Sequence, residues 1–122
     1  MITVPEFVSR TRTGAFVWGQ RDCCIWPADF VRAATGIDPA EGWRGAYSTA
    51  WEARKIITRE GGLLTVWRNR MADFAAGSDV GVALVSGRRM GGLMAGGFFY
   101  ALAEQGGVLM TRDFTLLAGW AI

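Results

Sequence analysis

The residues best suited to chemistry in this chain are Asp22 and Cys23, at the end of the stretch WGQRDC over residues 18–23. The pattern that follows predicts a helix, which places Cys23 at a helix start. The partial positive charge of a helix N-terminus lowers the pKa of a thiol and favours the nucleophilic thiolate. Cys23 is therefore a candidate nucleophile, and Asp22 is either the helix cap or a group that orients a catalytic partner.

Thiol catalysis normally needs a proton acceptor beside the cysteine, and the sequence contains no histidine. Asp79, Glu104 and Asp113 are candidates for a substitute base, as is a histidine from a partner chain. A carboxylate needs burial before its pKa approaches neutrality, and Asp79 is expected in a solvated turn. The other interpretation is that Cys23 is a small buried apolar residue, which is how free cysteine commonly behaves.

The only other cysteine, Cys24, directly follows Cys23. Neighbouring Cα atoms lie about 3.8 Å apart, which is too close for an ordinary disulfide, so a reducing compartment is the simpler interpretation. Two thiols without histidine make a poor zinc site, and the glycines contain no phosphate-loop pattern. We predict no metal and no cofactor, with Cys24 in the core.

Composition limits the classes of protein that fit. The chain has 122 residues, 51% of them hydrophobic, and a formal net charge of +2. These values predict a single packed domain over residues 1–122 and no specific nucleic-acid partner. The sequence starts without a signal-peptide pattern, and its longest apolar run, at residues 90–102, is shorter than a membrane span.

Capping residues and glycine stops predict helices in the first part of the chain. We expect helices from Thr3 to about Thr13, from an Asp22 cap to Gly36, and from Thr49 to about Glu60. Residues 63–74 fit either a fourth helix or a short strand followed by a helix.

The pattern changes to short apolar segments after Asp79. Strands are expected over residues 80–85, 108–110 and 114–122, and residues 90–103 fit one or two further strands, with tight turns between them. Short strands joined by tight turns form an antiparallel sheet. The predicted fold class is α+β, with N-terminal helices packed on a C-terminal antiparallel sheet.

A cysteine at the head of an early helix, followed by an antiparallel sheet, resembles the papain-like fold. More narrowly, the chain is similar to the NlpC-type cell-wall peptidase superfamily. Asp22-Cys23 matches the pair at the helix start, and Ser78-Asp79-Val80 resembles the step into the first strand. The superfamily then places a histidine on the next strand, which corresponds to residues 90–93 here, where no histidine occurs.

The chain also resembles a family of small proteins from bacteriophages and prophage-like elements. The order and spacing of several short motifs carry this resemblance. They are Trp18-Gly19, Asp22-Cys23, Ala28-Asp29, Thr35-Gly36-Ile37-Asp38-Pro39, Arg44-Gly45-Ala46-Tyr47, Gly61-Gly62 and Gly119-Trp120.

The resemblance implies a phage origin and an NlpC-like fold. The first expectation is a structural virion component at the tail tip or hub, made in the host cytoplasm, with other virion proteins as partners. The second is an active thiol peptidase or amidase that cuts peptidoglycan with Cys23 as its nucleophile. The third is a small binding module that helps tail assembly without staying in the particle.

Aromatic residues supply the candidate contacts with such partners. Six tryptophans are many for a domain of this length, and large aromatic side chains commonly anchor cores or interfaces. We expect Trp43, Tyr47 and Trp67 to meet another subunit. The loop over residues 44–47 fits either a recognition loop or a packed connector.

Overall fold

The computed structural model describes the whole chain, Met1–Ile122. Four helices precede five strands, in the predicted order of helices first and sheet second. Of the alternatives left open, residues 63–70 form a helix, and the segment 90–103 is divided between two strands. The helices are α1 (Val4–Thr11), α2 (Ile25–Thr35), α3 (Ala50–Arg59) and α4 (Leu63–Arg70). The strands are β1 (Ala76–Val85), β2 (Arg88–Ala95), β3 (Phe98–Leu102), β4 (Val108–Thr111) and β5 (Thr115–Trp120).

Local capping explains most helix boundaries. The hydroxyl oxygens of Thr3 and Thr49 accept hydrogen bonds from backbone amides in the first turns of α1 and α3, and Gly36 closes α2 in the left-handed conformation. The predicted end of α1 at Thr13 is wrong. The helix ends at Thr11, whose carbonyl oxygen accepts a hydrogen bond from the guanidinium of Arg21.

The five strands form one antiparallel sheet in the order β4-β3-β2-β1-β5. Two-residue turns join β1 to β2 and β2 to β3, so these three strands are neighbours in chain order. Strand β5 instead pairs with β1, at the edge of the sheet opposite β4. The expectation that Asp79 lies in a turn is wrong. Asp79 is part of β1, next to a bulge against Trp120, and its carboxylate accepts a hydrogen bond of 2.8 Å from the Ile122 amide.

The core has two parts. The larger cluster joins the four helices to one face of the sheet, through buried strand residues such as Val80, Val82 and Leu93. A smaller cluster around Phe99 and Met94 fills the other face. This arrangement confirms the predicted α+β class. None of the four helices is both long and apolar enough to span a membrane.

Candidate functional site

The Asp22 carboxylate organises the start of α2. Oδ1 accepts hydrogen bonds of 2.9 Å from the amides of Cys24 and Ile25, and Oδ2 accepts one of 2.9 Å from the amide of Gly19. Oδ2 also accepts a 2.6 Å hydrogen bond from the hydroxyl of Tyr47. Asp22 is 1% exposed. Four donors therefore engage both carboxylate oxygens. Asp22 caps the turn that leads into α2, but the helix itself begins at Ile25 with Cys24 as its N-cap residue, so the start predicted at Asp22-Cys23 is two residues early.

Tyr47 fixes the loop before α2 from the other side. Its carbonyl oxygen lies so close to Gly19 that a Cβ there would come within 2.0 Å, and the φ of +82° at Gly19 already favours glycine. The Gly45 amide donates to the Gly19 carbonyl at 2.9 Å. The pKa of Tyr47 is raised above its usual range. Burial is the largest cause, and the hydrogen bond to the Asp22 carboxylate is the second.

A second polar cluster holds the chain that leads to Tyr47. The Arg44 guanidinium binds Asp38 through two hydrogen bonds of 2.9 Å and lies 2.7 Å from the nearest carboxylate oxygen of Asp29. Hydrogen bonding to Arg44 lowers the pKa of Asp38. Of the two interpretations of residues 44–47, the structure supports the packed connector.

Cys23 lies at the floor of an open groove of about 550 Å³. Strand ends, the loop after β3 and the start of α2 enclose the groove. Its charged lining consists of Arg88, Arg89 and Glu104. Cys23 is half-buried, and its backbone amide makes no hydrogen bond within the chain. The groove volume lies in the range of small-molecule and peptide pockets.

The strand that faces Cys23 supplies no proton acceptor. Met90 lines the same groove, and the next residue, Gly91, lies against the backbone of Cys23. A Cβ at Gly91 would come within 2.9 Å of the Cys23 carbonyl oxygen and 3.2 Å of the Trp67 indole nitrogen. A backbone oxygen cannot rotate away as a flexible side chain could. A larger side chain at position 91 would therefore require a shift of the Cys23 backbone.

Cys24 points into the core, as predicted, and is 5% exposed. A hydrogen bond with the Cys23 sulfur, followed by burial, raises the pKa of the Cys24 thiol well above its usual value. The nearby Trp67 indole slightly opposes this shift, although its Nε1–H makes no hydrogen bond of regular geometry. Cys24 is therefore a protonated core residue at neutral pH.

Asp22, Cys23 and Cys24 form a compact set of potential metal ligands, with ligand atoms within 4.8 Å of one another. The set is poorly suited to a metal ion. Both Asp22 oxygens already accept hydrogen bonds, and the Cys24 thiol would have to lose its proton inside the core.

The three candidate bases lie in different places. Glu104 lines the Cys23 groove, where it forms a 3.8 Å ion pair with Arg88. Asp79 lines a separate cavity of about 490 Å³ beside the chain termini. Asp113 is exposed and lines neither cavity. Only Glu104 therefore shares a groove with Cys23.

The predicted interface residues require a correction. Trp43, Tyr47 and Trp67 are 6%, 8% and 0% exposed, so their side chains belong to the core rather than to a subunit contact. The Arg70 guanidinium lies over the Trp43 ring, 4.2 Å from the centroid of that ring. The Trp67 ring stacks with the Trp120 ring. Their aromatic area stabilises this domain itself.

Sequence reasoning missed two residues that shape the site. The sequence indicates Arg44 only as part of a motif and gives no sign that its guanidinium joins Asp29 to Asp38. No signal in the chain places Gly91 against Cys23.

The chain belongs to a family described as a domain of unknown function, DUF6950, whose sequence pattern matches residues 3–122. Among curated proteins and among solved structures, none matches this chain.

Proposed function

We propose that this chain is a structural, non-catalytic component of a bacteriophage or phage-like particle, built on a degenerate NlpC-like fold. The observation that carries the proposal is the environment of Cys23. Met90 and Gly91 lie beside it on β2, neither residue offers a side-chain proton acceptor, and the close approach at Gly91 leaves no room for an imidazole at that position. A thiol in this position has no protein group that is built to accept its proton.

The polar residues near the site support a structural role. Asp22 uses both oxygens to hold backbone amides and Tyr47, and Arg44 uses its guanidinium to join Asp29 to Asp38. These residues belong to the motifs that resemble phage proteins. Their contacts stabilise the loops around α2.

The order of elements supports the NlpC-like part of the proposal. Asp22-Cys23 lies in the turn that leads into α2, and the helix precedes an antiparallel sheet whose first strand contains Ser78-Asp79-Val80. This order of cysteine, helix and sheet is the one that the resemblance to NlpC-type peptidases implies.

Exposed apolar side chains on the sheet suit a protein that is buried in an assembly. Four of them are between 37% and 56% exposed, namely Leu84, Leu109, Met110 and Leu116. These four side chains are available for contacts with other proteins. We place those contacts at the tail tip or hub, with other virion proteins as partners.

Mass spectrometry of finished particles tests the virion proposal. We expect peptides of this chain in particles purified from the host that encodes it, at a fixed ratio to the other tail proteins. If the chain is abundant in the lysate and absent from purified particles, it is an assembly factor or an enzyme and the proposal is wrong.

One observation favours a second function, an active thiol peptidase or amidase on peptidoglycan. Cys23 is accessible in an open groove, its own amide is free to donate to an oxyanion, and Glu104 lies in the same groove. The Cys23 sulfur would attack the peptide carbonyl carbon while Glu104 takes the thiol proton. Glu104 would then give that proton to the leaving amine as the C–N bond breaks, and water would hydrolyse the resulting thioester.

Cleavage of purified peptidoglycan peptides separates the two functions. The structural proposal expects no turnover by the wild-type chain. The enzymatic function expects turnover that Cys23→Ala and Glu104→Gln abolish and that Cys24→Ala, the matched control, retains. Turnover that survives Cys23→Ala would exclude Cys23 as the nucleophile.

A further inference from the structure

The outward side of α3 carries the most exposed tryptophan of the chain. Trp51 is 65% exposed, whereas four of the other tryptophans are 8% exposed or less. An indole combines a large apolar face with a hydrogen-bond donor, and for this reason tryptophan is enriched at interfaces. Trp51 therefore offers an aromatic surface to a binding partner.

Three cations share this side of the helix with Trp51. Arg54, Lys55 and Arg59 follow at helical spacing, and all three are exposed. None of them forms an ion pair. We call Trp51, Arg54, Lys55 and Arg59 the basic face of α3.

No acidic side chain of α3 neutralises the basic face. The only acidic residue within the helix, Glu52, turns back to the helix start, where its carboxylate accepts hydrogen bonds from the amide and hydroxyl of Ser48 at 3.0 Å. Lys55 places its Nζ 4.3 Å from the centroid of the Trp51 ring. Positive charge and aromatic surface are therefore presented together.

The other side of α3 is already used. Ala53, Ile56 and Ile57 pack towards Trp43 and Tyr47 in the core. A helix that lies in a membrane interface inserts a continuous apolar face among the lipids, and α3 has none left to insert. The charge of the basic face instead complements a polyanion with planar groups.

We propose that the basic face of α3 binds single-stranded nucleic acid without sequence preference. A base stacks on the Trp51 indole, and Arg54, Lys55 and Arg59 contact backbone phosphates. This combination of aromatic stacking and basic side chains is how proteins hold single strands without reading their sequence. The proposal concerns a surface separate from the Cys23 groove and does not depend on the virion role.

Fluorescence anisotropy with a fluorescein-labelled oligothymidylate tests the proposal on the full chain. We expect binding whose affinity falls with salt, with a log–log slope of about −2 for three phosphate contacts. Substitution of all three cations, Arg54→Gln, Lys55→Gln and Arg59→Gln, should weaken binding at least about tenfold and flatten the slope.

A matched control changes the same number of unpaired, exposed cations elsewhere. The control chain carries Arg12→Gln, Arg68→Gln and Arg112→Gln, and its affinity should stay within about twofold of wild type. Equal losses in the two triple variants would mean diffuse attraction by net charge and would overturn the proposal. Circular dichroism confirms that both variants keep the fold.

Substitutions of Trp51 separate the contribution of base stacking to the affinity from the contribution of charge. Trp51→Ala should weaken binding about fivefold or more without changing the salt slope, and Trp51→Phe should restore part of the loss. An unchanged affinity in Trp51→Ala overturns the proposal. So does the absence of binding by the wild-type chain, or tighter binding to vesicles of anionic phospholipid than to the oligonucleotide.

Discussion

The helical part of the molecule, residues 1–70, and the sheet, residues 71–122, hold their shape by different means. In the helical part, side chains bind the backbone and one another, as Asp22 and Arg44 do. In the sheet, side-chain hydrogen bonds are rare, and strands are held by the backbone ladder and by close approach at glycines such as Gly92.

The two parts of the molecule should therefore be destabilised by different kinds of substitution. A loop that is fixed by one buried carboxylate loses several hydrogen bonds when that carboxylate is removed. A sheet that is fixed by close approach tolerates loss of polar groups but not added volume. The predictions below test each half with the change to which it should be most sensitive, in order of decreasing effect.

Removal of the Asp22 carboxylate should have the largest effect. Asp22→Ala leaves three backbone amides and the Tyr47 hydroxyl without their acceptor in a buried place. We expect a loss of at least about 3 kcal/mol in the free energy of unfolding, measured by urea denaturation. Asp113→Ala, at an exposed carboxylate, should change it by less than about 0.5 kcal/mol. Equal unfolding midpoints for the two variants would contradict the assigned role of Asp22.

Added volume should have the largest effect in the sheet. A Cβ at Gly92 would lie 2.4 Å from both the Phe99 ring and the Tyr100 carbonyl oxygen. We expect Gly92→Ala to lower the free energy of unfolding by about 2–3 kcal/mol. Gly97→Asn, in an open turn where asparagine tolerates the left-handed conformation, should cost under about 1 kcal/mol. A larger cost at Gly97 than at Gly92 would mean that turn geometry, not packing, limits the sheet.

Removal of one donor to Asp22 should have a smaller effect, and one that depends on pH. Tyr47→Phe should cost about 1 kcal/mol at neutral pH, because the other three donors remain. The pKa of Tyr47 is raised in the folded chain, so the neutral phenol stabilises the fold fully below pH about 10 and stability falls as the pH rises further.

Unfolding at a series of alkaline pH values tests this dependence. The wild-type chain should lose stability more steeply above pH about 10 than Tyr47→Phe does. Cys24, whose pKa is also raised, contributes a loss of the same sign in both proteins. Parallel curves for the two proteins would show that Tyr47 does not titrate with unfolding.

The exposed ion pairs should have the smallest effect. Arg44 and its two partners are partly exposed, so solvent screens them, and Arg44→Gln should cost only about 0.5–1 kcal/mol. The clearer readout is the Asp38 carboxyl, whose pKa Arg44 holds down. In Arg44→Gln, nuclear magnetic resonance should show this pKa returning towards its usual value. Arg32→Gln, at a longer contact of 3.9 Å, should raise it less.

The two halves also differed in how far the sequence predicted them. Helix caps and stops are local signals, and they predicted α2 and α3, although α2 begins two residues later than expected. Helix α1 ends at Thr11, short of the predicted end at about Thr13. In the sheet, short apolar segments predicted the strands, and the short turns predicted the antiparallel pairing.

The contacts that define the site could not be predicted, because they join residues far apart in the chain. Tyr47 binds Asp22 across 25 positions, and Gly91 meets Cys23 from a separate element. The burial of Trp43 and Trp67 was missed for a related reason. Aromatic residues serve cores and interfaces alike, and only the packing of α3 and α4 on the sheet decides between the two.

The close approach at Gly91 also limits how this lineage can evolve. A histidine at position 91 would need a simultaneous retreat of the Cys23 backbone and of the Trp67 indole. Any substitution of Gly91 would therefore first pass through a less stable protein. The route that remains open to a histidine on β2 is position 90, where Met90 lines the groove with Cys23.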